Sequence, residues 1–194
     1  NKTLVLMDYR DFLDQLIANK TPLFDRIVSV GMMEHVGPVN FPNFFRKTKK
    51  VIKPDGLFLL HTIGNSVDDR NQDPWFDKYI FPGACIPGPS TFFQSGCIGF
   101  KDGWKLEDWH NFGVDYMRTC LAWRENSFAA RDKLPKDKYD DKFWRMWDYY
   151  LQGSAAGFAA RSIHLWQFVL SPNGLPPAGC PGAIGPRGGY VREN

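Results

Sequence analysis

The chain has 194 residues, a formal charge of +3, 43% hydrophobic residues and 15% aromatic residues. That length suits one domain with a sizeable core, and so small a positive excess gives no electrostatic footprint for nucleic acid, although it suits an anionic membrane surface. No apolar run approaches the roughly 20 residues that cross a bilayer, so any membrane contact is expected to be peripheral.

Residues 3–7 carry the short apolar run Leu4, Val5, Leu6 and read as a strand ending at Asp8, Tyr9 and Arg10. A helix is expected over residues 11–20. Phe24, Ile27, Val28 and Val30 make residues 24–30 a strand that ends at Gly31. Phe41, Phe44, Phe45, Thr48 and Val51 then recur at helical spacing with Lys and Arg opposite, and Pro54, Asp55 and Gly56 are expected to stop that helix. Residues 57–63 read as a buried strand. Two strands bracketing a helix form a βαβ unit, which argues for a parallel sheet covered by helices.

Gly, Pro and Ser mark residues 82–103 as a loop near a site. Helical spacing resumes over residues 106–131 through Trp109, Phe112, Tyr116, Cys120 and Trp123, and again over 139–156 with Phe143, Met146, Trp147 and Tyr150 on one side. Residues 163–170 read as a last strand. From 171 to 194 Pro and Gly dominate, and a disordered tail is expected there. Gly179, Gly182, Gly185 and Gly188 fall at every third position, but about four such triplets are too few for a collagen helix. The domain is therefore expected to span residues 1–170.

Cys85, Cys97, Cys120 and Cys180 are widely spaced, with no C-x-x-C pair and no His at zinc spacing. They indicate neither a metal site nor a disulfide framework, and read as reduced thiols of a cytoplasmic protein. In open α/β sheets ligands bind beyond the carboxyl ends of the strands, which singles out residues 8–10, 31–37 and 61–64. Glu34 and His61 fall there. A carboxylate and an imidazole at neighbouring strand ends suit general acid and base work, but from these residues alone a helix-capping Glu34 and a core His61 satisfied by a carbonyl are the first readings. Tyr116, with Trp109, Phe112 and Trp123, reads first as core packing. No P-loop, G-x-S-x-G or G-x-G-x-x-G is present.

Four stretches carry a resemblance that reaches to about residue 170. They are Phe24-Asp25-Arg26-Ile27-Val28-Ser29-Val30-Gly31-Met32-Met33-Glu34-His35-Val36-Gly37, then Lys53-Pro54-Asp55-Gly56 through His61-Thr62-Ile63-Gly64, then Glu107-Asp108-Trp109-His110-Asn111-Phe112-Gly113 with Asp115-Tyr116, and finally Ala160-Arg161 with Leu165-Trp166-Gln167. In this order they resemble cyclopropane-fatty-acyl-phospholipid synthases and the related mycolic acid cyclopropane synthases. The resemblance implies an α/β architecture, a partial Rossmann-like S-adenosylmethionine-dependent methyltransferase fold comprising strands 3 to 7 of a seven-stranded sheet ordered 3-2-1-4-5-7-6.

It also implies an activity: a methylene group passes from S-adenosylmethionine to a cis double bond of an unsaturated phospholipid chain, and a cyclopropane ring closes. Carried over by motif position, Glu34, His61, Tyr116 and the backbone of Ile63 would hold a bicarbonate base, Asp8 and Tyr9 would lie near the adenine, and Val30 and Gly31 along the cofactor. Ser154 stands where the family has a cysteine, and residues 86–105 depart from the family pattern. The glycine-rich loop of the first strand and an upstream cysteine of the bicarbonate site have no counterpart in this sequence. Accordingly, residues 3–7 are expected to fray, residues 24–30 to expose an apolar edge prone to self-association up to a homodimer, and the chain alone to lack a specific S-adenosylmethionine site. Two other readings stay open: a methyltransferase acting on another apolar substrate, and a non-catalytic remnant that binds membranes.

Overall fold

The computed structural model describes residues 3–68, 73–94 and 96–175. Helix α1 (Tyr9–Ala18) starts where the Asp8 carboxylate accepts a hydrogen bond from the Arg10 N–H, satisfying one of the orphan donors of the first turn. Residues 3–7 ahead of it form no strand, and Leu4 and Leu6 lie fully exposed. Among the described residues the backbone of this segment pairs with no strand, which is how it departs from a strand reading.

Strand β1 (Phe24–Val30) leads through the one-turn helix α2 (Met33–Val36) and a 3-10 turn (Pro38–Asn40) into α3 (Phe41–Lys50). The Phe41, Phe44, Phe45 and Thr48 stripe of α3 is buried, while Lys47, Lys49 and Lys50 crowd its last turn, where cations suit the helix dipole. Lys47 also reaches across to Asp14 of α1, 2.7 Å away. Strand β2 (Ile52–Asn65) follows at once. Pro54, Asp55 and Gly56 therefore do not stop the helix. They sit inside β2, in an irregularity where pairing with β1 jumps from Phe24–Ile52 to Arg26–Leu57. Proline is tolerated there because a bulged position need not donate to the ladder.

After β2 come α4 (Pro74–Tyr79), N-capped by Asp73, and the short α5 (Pro89–Phe92). The Gly- and Pro-rich stretch around α5 is well packed, with Phe92, Cys97, Ile98 and Trp104 wholly buried. Residues 105–111 are a strand, β3 (Lys105–Asn111), and not the first turns of a helix. Helix α6 runs over Gly113–Ala129, α7 over Asp141–Ala159, and β4 over Ile163–Ser171. The strand takes Trp109 out of the helix and sets its ring 4.9 Å from that of Phe168. Pairing with β4 decides the conformation, because β4 would otherwise leave a row of backbone groups unpaired.

The sheet order is β1-β2-β4-β3, with β1 parallel to β2 and both other pairings antiparallel. The βαβ unit gives the expected parallel β1–β2 pair, and β4 and β3 extend it antiparallel, so the sheet as a whole is mixed. Gly64 makes room on β2 for the Trp166 ring, which a Cβ at that position would overlap. Ser171 is the last residue of β4 and is buried, and Glu107 of β3 accepts hydrogen bonds from its hydroxyl and from the Leu175 N–H. The described residues thus run to Leu175, five positions into the segment read as a tail. The glycine triplets and Cys180 lie outside the described residues.

Candidate active site

At the carboxyl end of β1 the chain turns through Gly31, whose φ of +60° is a left-handed conformation that glycine adopts without strain. The Gly31 N–H donates to the His61 carbonyl at 3.0 Å, tying this turn to β2. The turn delivers Glu34 into the interior, where the residue is only 7% exposed. One carboxylate oxygen, Oε1, accepts the Ile63 N–H at 2.6 Å. The other, Oε2, is buried and finds no partner among the described residues. A buried carboxylate oxygen left without a donor is costly, so Oε2 is a position where an ordered water or a bound group can be accommodated favourably.

Glu34 stands on the wall of a cavity of about 430 Å³. Gly31, Ile63, Tyr116, Ser154 and Ile163 share that wall, and Phe76, Phe81, Tyr150 and Phe158 make it strongly aromatic. The α6–α7 hairpin closes one side. Tyr116 is held edge-on by Phe158 at 5.0 Å and by Trp123 at 5.7 Å. Burial raises the pKa of Tyr116, with the charge of Glu34 acting in the same direction, and burial pushes that of Tyr150 up to about 12. Both phenols remain donors at any physiological pH.

His61 is two residues before Ile63 on β2 and so shares its face of the strand, but it does not line the cavity. Its Nδ1 lies 3.0 Å from the Gln167 amide nitrogen of β4. Burial lowers its pKa, and the nearby Glu34 charge partly offsets that. The cofactor candidates divide in the same way. Gly31 lines the cavity, whereas Val30 is 64% exposed on the edge strand. Asp8 is paired through both oxygens with Arg10 at 2.9 and 2.7 Å, which holds its carboxyl at about 2, and Tyr9 packs edge-on against Phe44.

Cys120 and Tyr150 are among the cavity residues that the sequence reading does not single out. Cys120 is one helical turn beyond Tyr116, and Tyr150 one turn before Ser154, so i, i+4 spacing from residues already under suspicion would have found both. Cys120 is buried and its thiol pKa is raised by that burial, so the thiol is held neutral and weakly nucleophilic.

The sequence matches the family described as mycolic acid cyclopropane synthetase over residues 1–168. The chain belongs to that family. It is 48% identical over 176 residues to the cyclopropane-fatty-acyl-phospholipid synthase of Escherichia coli K12, covering 89% of this chain and 43% of that protein. It is 31% identical to the tuberculostearic acid methyltransferase UfaA1 of Mycobacterium tuberculosis, covering 88% of this chain and 39% of that one. Among solved structures, the M. tuberculosis cyclopropane synthase MmaA2 superposes with a TM-score of 0.67 at 25% identity, over 80% of this chain and 57% of that one. A complex of the synthase CmaA1 with SAH and CTAB gives 0.63 at 21% identity, over 83% and 65%, and speaks to fold alone. The chain spans less than half the length of the curated relatives it matches. The fold is the Rossmann-like one of S-adenosylmethionine-dependent methyltransferases, in its β1-β2-β4-β3 portion.

Proposed function

We propose that this chain supplies the reaction chamber of an enzyme that transfers a methylene group from S-adenosylmethionine to a cis double bond of an unsaturated phospholipid chain. The observation that carries the reading is Glu34. Fixed through Oε1 by the Ile63 N–H, it leaves Oε2 buried, with no partner among the described residues, against an apolar, aromatic cavity. Attack of the alkene on the sulfonium methyl forms a C–C bond, breaks the S–CH₃ bond and leaves a cation on the lipid. Loss of one proton from the new methyl then closes the ring.

The residues present fit a bicarbonate ion, since Glu34 Oε2 can accept its hydroxyl and Tyr116 can donate to it. When bound, that ion would supply a base too weakly nucleophilic to take the methyl itself. Glu34 would orient that base and Tyr116 would donate to it, while Ile63 acts by holding Glu34. His61 supports the same edge of the sheet from its bond to Gln167. The aromatic walls exclude water from the cation and attract it by about 2 kcal/mol or more per well-placed ring when desolvated. Such a substrate brings the protein to a lipid surface, where peripheral contact suffices: among the described residues no helix is long and apolar enough to cross a membrane. A cytoplasmic setting, with reduced thiols, and pairing of two copies through the exposed edge belong to the same reading.

The test uses the E. coli synthase with its matched region replaced by residues 1–170 of this chain, expressed in cells whose own synthase gene is deleted. Lipid mass spectrometry should show a gain of about 14 Da on unsaturated phospholipid chains, together with resistance of those chains to double-bond cleavage. The relatives that are methyltransferases favour a second reading, simple methylation of an apolar chain. A 14 Da gain with the double bond retained would establish that reading and remove cyclopropanation.

A further inference from the structure

The α6–α7 hairpin that carries Tyr116, Tyr150 and Ser154 to the cavity joins the sheet at two roots, Phe112 before α6 and Arg161 after α7. Both roots meet at one imidazole. His164, near the start of β4, has Nε2 at 2.8 Å from the Ser66 hydroxyl oxygen at the end of β2, and Nδ1 at 2.8 Å from the Asn111 amide nitrogen at the end of β3. Asn111 Oδ1 in turn accepts the Gly113 N–H at 2.9 Å. That N–H belongs to the first turn of α6 and has no partner within the helix. At the other end, the Ser66 hydroxyl donates to the Arg161 carbonyl at 2.5 Å, at a residue held in the left-handed region with φ of +58°.

These bonds fix one another's direction. The Ser66 proton is spent on the Arg161 carbonyl, so Nε2 must carry a proton and donate to Ser66 Oγ. Asn111 Oδ1 is spent on Gly113, so its NH₂ must face Nδ1, which therefore has to be a bare acceptor. The chain of bonds runs one way, from Gly113 through Asn111 and onto His164, and from His164 through Ser66 to Arg161, only with a neutral ring in the Nε2–H form.

We propose that His164 is a positioning residue whose neutral ring locks the root of α6, and thereby the reach of Tyr116 into the cavity, and that protonation of the ring releases the lock. Its relevance to turnover rests on the reading that Tyr116 works in that cavity. A proton added at Nδ1 would confront the Asn111 NH₂ with a second donor. Rotating the amide to present Oδ1 to the ring would turn the NH₂ onto the Gly113 N–H, so one end of the relay must open. The neighbours bias the ring toward its neutral form. Burial disfavours its charge and Arg161 adds a like charge, and together they outweigh the nearly parallel Trp166 ring, whose face attracts a cation. Ser66, Asn111 and Gly113, from β2, β3 and α6, bring no charge to oppose that bias.

Nuclear magnetic resonance of the isotope-labelled chain between pH 7.5 and 5 tests this without any turnover, so the outcome is independent of the lipid chemistry. The His164 ring should show the Nε2–H form at the upper pH. As it titrates, the protection factor of the Gly113 amide should fall about tenfold. The Tyr116 ring signals, which sense the Phe158 ring 5.0 Å away, should shift with the same midpoint. In Asn111→Asp the carboxylate can accept from Gly113 and from a protonated ring together, so His164 should titrate higher and acid should no longer release Gly113. The proposal is overturned if Gly113 and Tyr116 stay unchanged while His164 titrates in the native chain, or if Asn111→Asp still releases Gly113 in acid.

Discussion

On the side of the sheet that meets α3, every second residue of β2 from Gly56 onward is sealed: Phe58, Leu60 and Thr62 are wholly buried, with Phe44, Phe45 and Trp104 packed against Phe58. On the opposite side the alternate residues Leu57, Leu59, His61 and Ile63 are only half-buried, and beside them Val28 and Val30 of the edge strand are 62% and 64% exposed. The two faces divide the labour. The sealed face supplies the stability, whereas Ile63 and the strand-end Glu34 reach the cavity from parts of the sheet that packing does not fill. A residue can be placed accurately for chemistry only if its neighbours on the other face are already fixed, which is the role of the α3 layer here.

The largest expected contrast between the faces is in stability. Phe58→Ala should cost about 3 to 5 kcal/mol in urea unfolding, because it empties a fully enclosed site. Leu59→Ala, its neighbour on the half-open face, should cost about 1 kcal/mol. Equal costs would mean that the open face is covered in solution. A second contrast concerns the edge. Among the described residues β1 pairs with β2 alone, so sedimentation should show concentration-dependent association, and Val28→Lys should suppress it while changing stability by no more than about 0.5 kcal/mol. Association that persists unchanged in Val28→Lys would place the contact elsewhere.

The smallest effect is in pH. His61 and His164 both have pKa values held below the ordinary 6.5, chiefly by burial. In mild acid the unfolded chain therefore binds more protons than the folded one, and stability falls as pH drops through about 6.5. The urea midpoint should be lower at pH 5.5 than at 7.5, and His61→Gln should narrow that difference. A midpoint that rises toward acid would reverse the sign and contradict the assigned environments.

Much of this architecture could be read from the sequence where one period dominated. The β-branched run of β1, the Phe stripe of α3 and the apolar run of β4 all lie where expected. The reading failed at Trp109, because Trp109, Phe112, Tyr116, Cys120 and Trp123 keep helical spacing straight through a strand and into α6. Only Asn111 and Gly113 mark the joint, and the role of Asn111 there is visible only once His164 is beside it. Pro54 misled for a related reason, since a bulge and a helix stop use the same residues. Of the site, Glu34 was legible from its position after a strand. The geometry of His61 was not, because its placement relative to the cavity depends on Gln167, more than a hundred residues away in sequence.

Glu34 carries most of the proposed chemistry, and the direct test is Glu34→Gln in the E. coli synthase carrying residues 1–170 of this chain. Single-turnover kinetics and S-adenosylmethionine titration on that protein separate chemistry from binding. If Glu34 Oε2 positions the base, the chemical step should slow by about 10²- to 10⁴-fold with little change in S-adenosylmethionine affinity. A variant that turns over at near-normal rate, or one whose loss lies entirely in cofactor affinity, would contradict the assignment.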